Sequence, residues 1–160
     1  MQIVIAAVGR LKDGPERLLY TRYAERVNVA GRGIGLGPIE LREVPEGKAS
    51  GRNPRMNDEA ERLLGRTPPP CWRILLDERG KGMTSQAFAG MLRDLRDRGE
   101  GTMAFLIGGA DGHGEPARQQ ARQAISLGPM TLPHGLARIV LAEQIYRAVT
   151  ILSGHPYHRD

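Results

Sequence analysis

Residues 102–116 read TMAFLIGGADGHGEP, and this stretch decides the fold. Its first six residues form a continuous apolar run, which predicts a strand buried on both faces. Gly108 and Gly109 end the run, and a polar, glycine-rich loop then leads to a short helix. A buried strand followed by a glycine loop and a helix is typical of an α/β fold with a mostly parallel sheet.

The same unit recurs along the chain. Apolar spacing and β-rich runs predict strands at 2–8, 39–44, 73–77 and 102–107, helices at 16–27, 57–65, 85–98, 115–124 and 135–152, and a short extended piece before the last helix. Asn57 is the predicted cap of the second helix. Loops at 31–38 and 46–55 and a turn at 78–83 connect these elements. We therefore predict a single domain, residues 1–160, with helices on both faces of the sheet.

Composition narrows the class of protein. The chain has 160 residues, of which 40% are hydrophobic and 4% aromatic, so the core must be aliphatic. The single cysteine, Cys71, excludes an intramolecular disulfide and a cysteine-based zinc site, and no ligand cluster predicts a metal. The start lacks a basic leader and no run approaches about 18 apolar residues, so we expect a cytosolic protein and no membrane span. The net charge of +5 favours an anionic partner.

Three predicted strand ends indicate a ligand site. In open α/β sheets ligands bind beyond the carboxyl ends of the strands, which here are Leu76-Asp77, Gly108-Gly109 and the apolar turn 127–132. Such backbone-rich loops suit a small adenine-type ligand. The two glycines allow either close approach of a ligand or a tight strand-to-helix turn, and the sequence leaves both open. His113, in the same loop, is expected to be solvated, and His134 to be a helix-entry residue.

The carboxyl terminus carries chemistry of a different kind. Three of the four histidines lie within residues 134–160, and the chain ends on His155-Pro-Tyr-His-Arg159 before a final aspartate. Histidine acts as a base near neutral pH, arginine holds phosphate, and tyrosine stacks on an unpaired base. Glu143 and Arg147 are spaced i, i+4 on the last helix, as a surface pair or as groups that face the site. Together these features favour an enzyme that acts on nucleic acid.

At these residues the sequence resembles the RlmH family, within the SPOUT class of RNA methyltransferases. The resemblance runs from end to end. It begins with I-x-x-V-G at 5–9 and Leu-Asp at 76–77, and it is densest in FLIGGADG at 105–112, SLGPMTLPH at 126–134, LAEQIYRA at 141–148 and HPYHR at 155–159. Single pieces of this set are weak signals, whereas the ordered set at these spacings is highly specific.

The resemblance implies a fold and a reaction that periodicity does not reach. It implies a deep trefoil knot in the carboxyl-terminal part, which is a rare exception among connections. It also implies a homodimer that binds S-adenosylmethionine in the knot and methylates N3 of a pseudouridine in 23S ribosomal RNA, on assembled ribosomes. Two rival hypotheses remain: a SPOUT methyltransferase with another RNA target, and a ribosome-binding protein without activity.

Matching positions carry the expected site residues. The cofactor contacts fall on Leu76, Gly108, Leu127, Gly128, Pro129, Met130, Thr131 and Leu132. The substrate-side set, expected to be catalytic, comprises Arg147, Tyr157, His158 and Arg159. His158 is the hypothetical base, because it titrates near neutrality. Gly128-Pro129 replaces a more typical Ser-Ala pair, which is expected to stiffen the cofactor loop while keeping its backbone contacts.

Overall fold

The protein folds around one five-stranded parallel sheet. The structure is a computed structural model, and it describes residues 1–158. The strands are β1 (Gln2–Val8), β2 (Ile39–Val44), β3 (Trp72–Gly82), β4 (Thr102–Ile107) and β5 (Gln123–Ser126), in the order β2-β1-β4-β3-β5. The helices are α1 (Pro15–Ala30), α2 (Arg52–Gly65), α3 (Ser85–Asp97), α4 (Glu115–Gln120) and α5 (His134–Ser153). Short 3-10 turns span Arg32–Ile34 and Pro156–His158.

Both faces of the sheet are covered, as the apolar run of β4 predicts. Ile3 and Ile5 of β1 belong to a core cluster that includes residues of α1, α3 and α5. Val4 and Ala6 point the other way, into a second cluster with residues of α2 and α4. The predicted α/β class with a parallel sheet between two helix layers is confirmed. The knot implied by the resemblance stays a prediction. No helix within residues 1–158 is long and apolar enough to cross a membrane.

Three predicted boundaries are wrong. Helix α2 begins at Arg52 instead of residue 57, because the chain turns at Gly51 (φ +100°). Asn57 therefore lies inside α2, and its Oδ1 accepts a hydrogen bond from the Glu115 N–H at the start of α4 (3.2 Å). Helix α4 ends at Gln120, and the next residues form β5 instead of a last helical turn. The predicted turn at 78–83 is largely the second half of β3.

The long β3 strand pairs with β5 on both sides of an irregularity. Leu76 and Lys81 are both in register with Ile125, across an irregularity in β3. Between them, Gly80 lies directly against the neighbouring backbone: a Cβ there would stand 2.5 Å from the carbonyl carbon of Ile125. Only a residue without a side chain allows this approach. The sequence offered no sign that this glycine, in an apparent turn, is a packing residue.

A buried arginine joins α5 to the ends of two strands. Arg138 is 1% exposed, and its guanidinium donates to the carbonyls of Val8 and Gly9 and to Glu43 Oε1 (3.0 Å). A buried guanidinium is costly unless several acceptors surround it. These contacts fix the amino-terminal part of α5 beside the carboxyl ends of β1 and β2.

Gly80→Ala should destabilise the protein strongly, because the added methyl group meets backbone atoms that cannot move aside. We expect the free energy of unfolding in urea to fall by at least about 2 kcal/mol. Gly82→Ala is the matched control, since a Cβ at Gly82 meets nothing within 4 Å. Equal stability of the two variants would show that the contact of Gly80 with Ile125 is not a constraint.

Candidate functional site

A cavity opens at the carboxyl edge of the sheet. Its volume is about 900 Å³. The middle of β3, where its pairing with β4 ends at Leu76, the loop after β4, the loop after β5 and the first residues of α2 and α5 line it. This is where the sequence places the ligand site, because parallel strands present their carboxyl ends at one edge.

Seven of the eight predicted cofactor positions line this cavity. They are Leu76, Gly108, Leu127, Gly128, Met130, Thr131 and Leu132. Pro129 does not belong to the lining. Residues from three separate strand ends thus come together around one space, although 56 positions separate Leu76 from Leu132 in the chain.

Neighbouring atoms of the protein leave no room for a side chain at Gly108 or Gly109. A Cβ at Gly108 would lie 2.6 Å from the carbonyl oxygen of Gly112, and one at Gly109 would lie 2.6 Å from Glu59 Oε2. The loop closes further through a hydrogen bond from the Gly112 N–H to the Gly109 carbonyl (3.0 Å). Of the two interpretations that the sequence left open, these contacts support the tight turn.

The loop after β5 is held by one serine. Ser126 Oγ donates to the Gly128 carbonyl (2.9 Å) and accepts from the Gly128 N–H (3.1 Å). Gly128 has φ +134°, a conformation that side chains rarely adopt. Beyond it Met130 is 81% exposed. The loop is therefore fixed at its base and presents apolar side chains at the rim of the cavity.

His113 is buried, contrary to the expectation of a solvated loop residue. It is 5% exposed, lines the cavity, and its Nε2 lies 3.0 Å from the Leu76 carbonyl oxygen. Burial holds the pKa of His113 below its ordinary value. No local signal in the sequence marks this burial, because it depends on the contact with Leu76, which lies 37 positions away in the chain.

An ion pair between Asp77 and Arg118 lies beside His113 in the wall of the cavity. Arg118 of α4 donates to Asp77 Oδ2 (2.7 Å) and to the His113 carbonyl (3.2 Å). Burial favours the neutral acid, but the N–H of Arg79 and the guanidinium of Arg118 outweigh it and hold the pKa of Asp77 below its ordinary value. The carboxylate is thus charged at neutral pH and ties β3 to α4.

Two arginines in the first turn of α2 are paired with Asp111 of the glycine loop. Arg55 donates to Asp111 Oδ2 through its Nε (2.8 Å) and its Nη2. Arg52 Nε lies 3.7 Å from Asp111 Oδ1. The sequence suggested a mobile or phosphate-contacting loop at 46–55. These two arginines instead begin a helix and are paired with a residue of the cavity wall.

Glu143 gathers the tail residues into a second cluster. Its Oε1 accepts from Arg147 (2.8 and 3.0 Å) and from the Tyr157 hydroxyl (3.2 Å). The Tyr157 ring packs on Tyr146 with centroids 4.6 Å apart, and the Arg147 guanidinium lies 5.2 Å from the Tyr157 ring centre. Burial and the negative charge of Glu143 raise the pKa of Tyr157. The Glu143–Arg147 pair is thus one part of a network rather than an isolated surface bridge.

This tail cluster is distant from the cavity of its own chain. None of Glu143, Arg147 and Tyr157 is among the described residues that line the cavity. Arg147 lies 13 residues after His134, the first residue of α5, which corresponds to about 20 Å along the helix axis. The cavity is therefore lined by the first turn of α5, whereas the tail cluster lies from the middle of this helix onward.

Two expected catalytic groups fall outside the described part of the chain. His158 ends the last 3-10 turn, but its side chain lies beyond what the structure describes, as does all of Arg159. Within residues 1–158 no group of three or more histidine, cysteine, aspartate or glutamate residues is placed to hold a metal ion.

Comparison with known proteins decides the family. A family model described as "Predicted SPOUT methyltransferase" matches residues 1–158. The ribosomal RNA large subunit methyltransferase H of Xanthobacter autotrophicus is 49% identical over 159 residues, 99% of each chain. The protein of the same name from Allorhizobium ampelinum is 50% identical over 160 residues, the whole of both chains. The chain belongs to the RlmH family of SPOUT methyltransferases.

A more distant likeness comes from a solved structure. The SpoU methyltransferase AviRb from Streptomyces viridochromogenes, in complex with AdoMet, has a TM-score of 0.40 and 14% identity. The likeness covers 91% of this chain and 56% of AviRb. The family assignment rests on the full-length RlmH relatives and not on this structure.

Proposed function

We propose that the protein methylates N3 of a pseudouridine in 23S ribosomal RNA, with S-adenosylmethionine as the methyl donor. The observation that carries this proposal is the gathering of Leu76, Gly108 and the 127–132 loop around one cavity. Membership of the RlmH family, whose relatives are named for methylation of large-subunit RNA, supports the reaction and the class of substrate.

The cavity suits the cofactor in size and in chemistry. A volume of about 900 Å³ is near the upper end of small-molecule pockets and leaves room for a nucleotide beside the donor. Leu76, Leu127 and Leu132 offer apolar contacts to an adenine ring, and the Gly108 turn offers backbone groups. When bound there, S-adenosylmethionine supplies a methyl group that its sulfonium charge has already activated.

The work left to the protein is alignment and removal of one proton. N3 of a pseudouridine is an imide nitrogen that is protonated at neutral pH, so its proton must leave as the methyl group arrives. We assign His158 as the base, since neutral imidazole accepts a proton in this pH range. Arg147 and Arg159 stabilise the charge that develops on the neighbouring carbonyl oxygen. Tyr157 stacks on the target base.

Two chains are needed to build this site. Arg147 lies ten residues, about 15 Å, along α5 from Ala137, which lines the cavity, so in this proposal the tail of a second copy reaches the cavity of the first. Exposed Leu18, Leu132 and Leu136, on α1, the cofactor loop and α5, supply apolar surface for such a contact. In a twofold dimer the same exchange completes both sites.

The substrate is a ribosome in this proposal. A net charge of +5 per chain is modest for a protein that binds RNA alone, and dimerisation doubles it. Recognition of the shape of the assembled large subunit supplies the remaining specificity. Such a protein works in the cytosol.

Mapping the methyl group tests the proposal. The protein is incubated with labelled S-adenosylmethionine and with ribosomes that carry unmethylated pseudouridines, and the labelled nucleotide is located by nuclease digestion and mass spectrometry. We expect one methyl group, at N3 of a single pseudouridine in the large subunit. Methylation of another RNA would overturn the proposed substrate and support a SPOUT methyltransferase with a different target. Absence of cofactor binding would overturn the proposed activity and support a ribosome-binding protein.

His158→Ala should lower the rate constant of methylation at least about 100-fold, because no other group then takes the N3 proton. Cofactor binding, measured by calorimetry, should not change. His155→Ala is the matched control: it removes a nearby exposed histidine whose Nδ1 accepts a hydrogen bond from the Tyr157 N–H (3.2 Å). Near-normal turnover in His158→Ala would remove this residue as the base.

A purified heterodimer separates a shared site from a site within one chain. One chain carries Leu127→Trp, which fills the cavity, and the other carries His158→Ala with Arg159→Ala. Each homodimer should be inactive. In a shared arrangement one intact site remains, so the heterodimer should have about half of the wild-type activity. An inactive heterodimer would place cavity and tail function in the same chain.

A further inference from the structure

His113 is a buried polar group that the proposed chemistry does not use. It follows the Gly108–Gly112 turn and is 5% exposed. It lines the cavity together with Leu76, the residue whose carbonyl oxygen lies 3.0 Å from its Nε2. His113 therefore joins the loop after β4 to the end of β3, and these are two of the three strand ends around the cavity.

The contact fixes the tautomer of the neutral ring. A carbonyl oxygen accepts only, so Nε2 must carry the proton and donate it. In the neutral ring Nδ1 is then an acceptor, and this atom is buried without a hydrogen-bond partner among residues 1–158. Protonation would place an unpaired N–H and a full charge in the same buried position, which is unfavourable.

The charged groups around the ring do not reverse this preference. Burial is the largest influence and lowers the pKa of His113. The hydrogen bond to the Leu76 carbonyl and the charge of Asp77 favour the protonated ring, whereas Arg118 of α4 opposes it, and burial outweighs them. Asp77 forms an ion pair with Arg118 (2.7 Å), and the positive charge of Arg118 offsets much of the attraction between Asp77 and a protonated His113.

We propose that His113 is a positioning residue for the cofactor. Its neutral ring holds the Leu76 carbonyl and the glycine loop in the arrangement that binds the adenosyl group, and protonation of the ring releases that arrangement. The inference rests on the proposed cofactor site, and it adds a residue outside the predicted set together with a dependence of cofactor affinity on pH. His113 acts through Leu76 and takes no part in methyl transfer.

The direction of the pH dependence follows from the neutral form. The ordinary pKa of histidine is 6.5 and that of His113 lies below it, so the ring is neutral at pH 7.5. Binding favours the neutral ring, so the affinity is full above pH 6.5 and falls as the pH drops through the pKa of the free protein. Folding shares this sign, because the unfolded chain takes up the proton at a higher pH than the native state does.

Calorimetry with S-adenosylhomocysteine tests the proposal without any turnover. His113→Ala should weaken binding at pH 7.5 by about tenfold, the effect of one lost buried hydrogen bond. His113→Gln should restore most of the affinity, because its amide places an N–H donor near the position of Nε2 and carries no titrating group. As the pH falls below 6.5, the affinity of the wild type should decrease more steeply than that of His113→Gln.

His155→Gln is the control, since His155 is an exposed histidine that is not among the described residues lining the cavity. This variant should keep the steep wild-type dependence on pH. Titration of the ligand contributes equally to the pH profile of every variant and does not affect the comparison. Wild-type affinity in His113→Ala, or an equally steep fall in His113→Gln, would overturn the proposal. Should His113→Ala fail to fold, His113→Gln alone decides through its pH profile. A wild type that binds no ligand at pH 7.5 would overturn the cofactor site itself, and this inference with it.

Discussion

The buried guanidinium of Arg138 is the interaction on which the arrangement of the site depends. It reaches from the second turn of α5 to the last carbonyls of β1 and to Glu43 of β2. The 127–132 loop ends where α5 begins, and Pro133 at that start provides no side-chain cap. The position of the loop at the cavity is therefore set by how firmly α5 is held, and Arg138 holds it. Its cost of burial is offset because the guanidinium donates hydrogen bonds to the Val8 and Gly9 carbonyls and forms an ion pair with Glu43.

Contacts between backbones then shape the rest of the edge. Gly80 lies against Ile125, Gly108 against Gly112, and Gly109 against the Glu59 carboxylate. At these three points a side chain would push two segments apart. A site that surrounds a ligand with loops from several strands needs such close approach, because each loop otherwise keeps the next one away from the cavity.

Much of the fold was predictable because apolar runs report burial directly. The runs of β1, β2 and β4 have the predicted bounds, and both helix layers are in place. The start of α2 was not predictable: Arg52 and Arg55 look like loop residues until Asp111, more than fifty positions away, pairs with them. Asn57 was read as a cap because it has the right residue type, but the helix that it caps is α4. In both cases a long-range contact overrides a local signal.

The candidate site shows the same division. Positions in the cofactor set came from resemblance, and the structure adds that they share one cavity. His113 was misread, because a single polar residue in a loop gives no sign of burial until the fold of the loop is known. The tail was recognised by its residue types, yet only the length of α5 reveals how far Arg147 lies from the cavity.

This separation along α5 has a chemical consequence. The expected cofactor positions lie around the first turn of α5, whereas Arg147 and Tyr157 are bonded to Glu143 at the middle of that helix. Among the described residues, Arg147 and Tyr157 thus lie outside the cavity that the expected cofactor positions line. If the cavity and these residues are brought together only by a second chain, each chain alone is unable to transfer a methyl group. Assembly of the dimer, rather than a change within a subunit, then becomes the step that creates the catalyst.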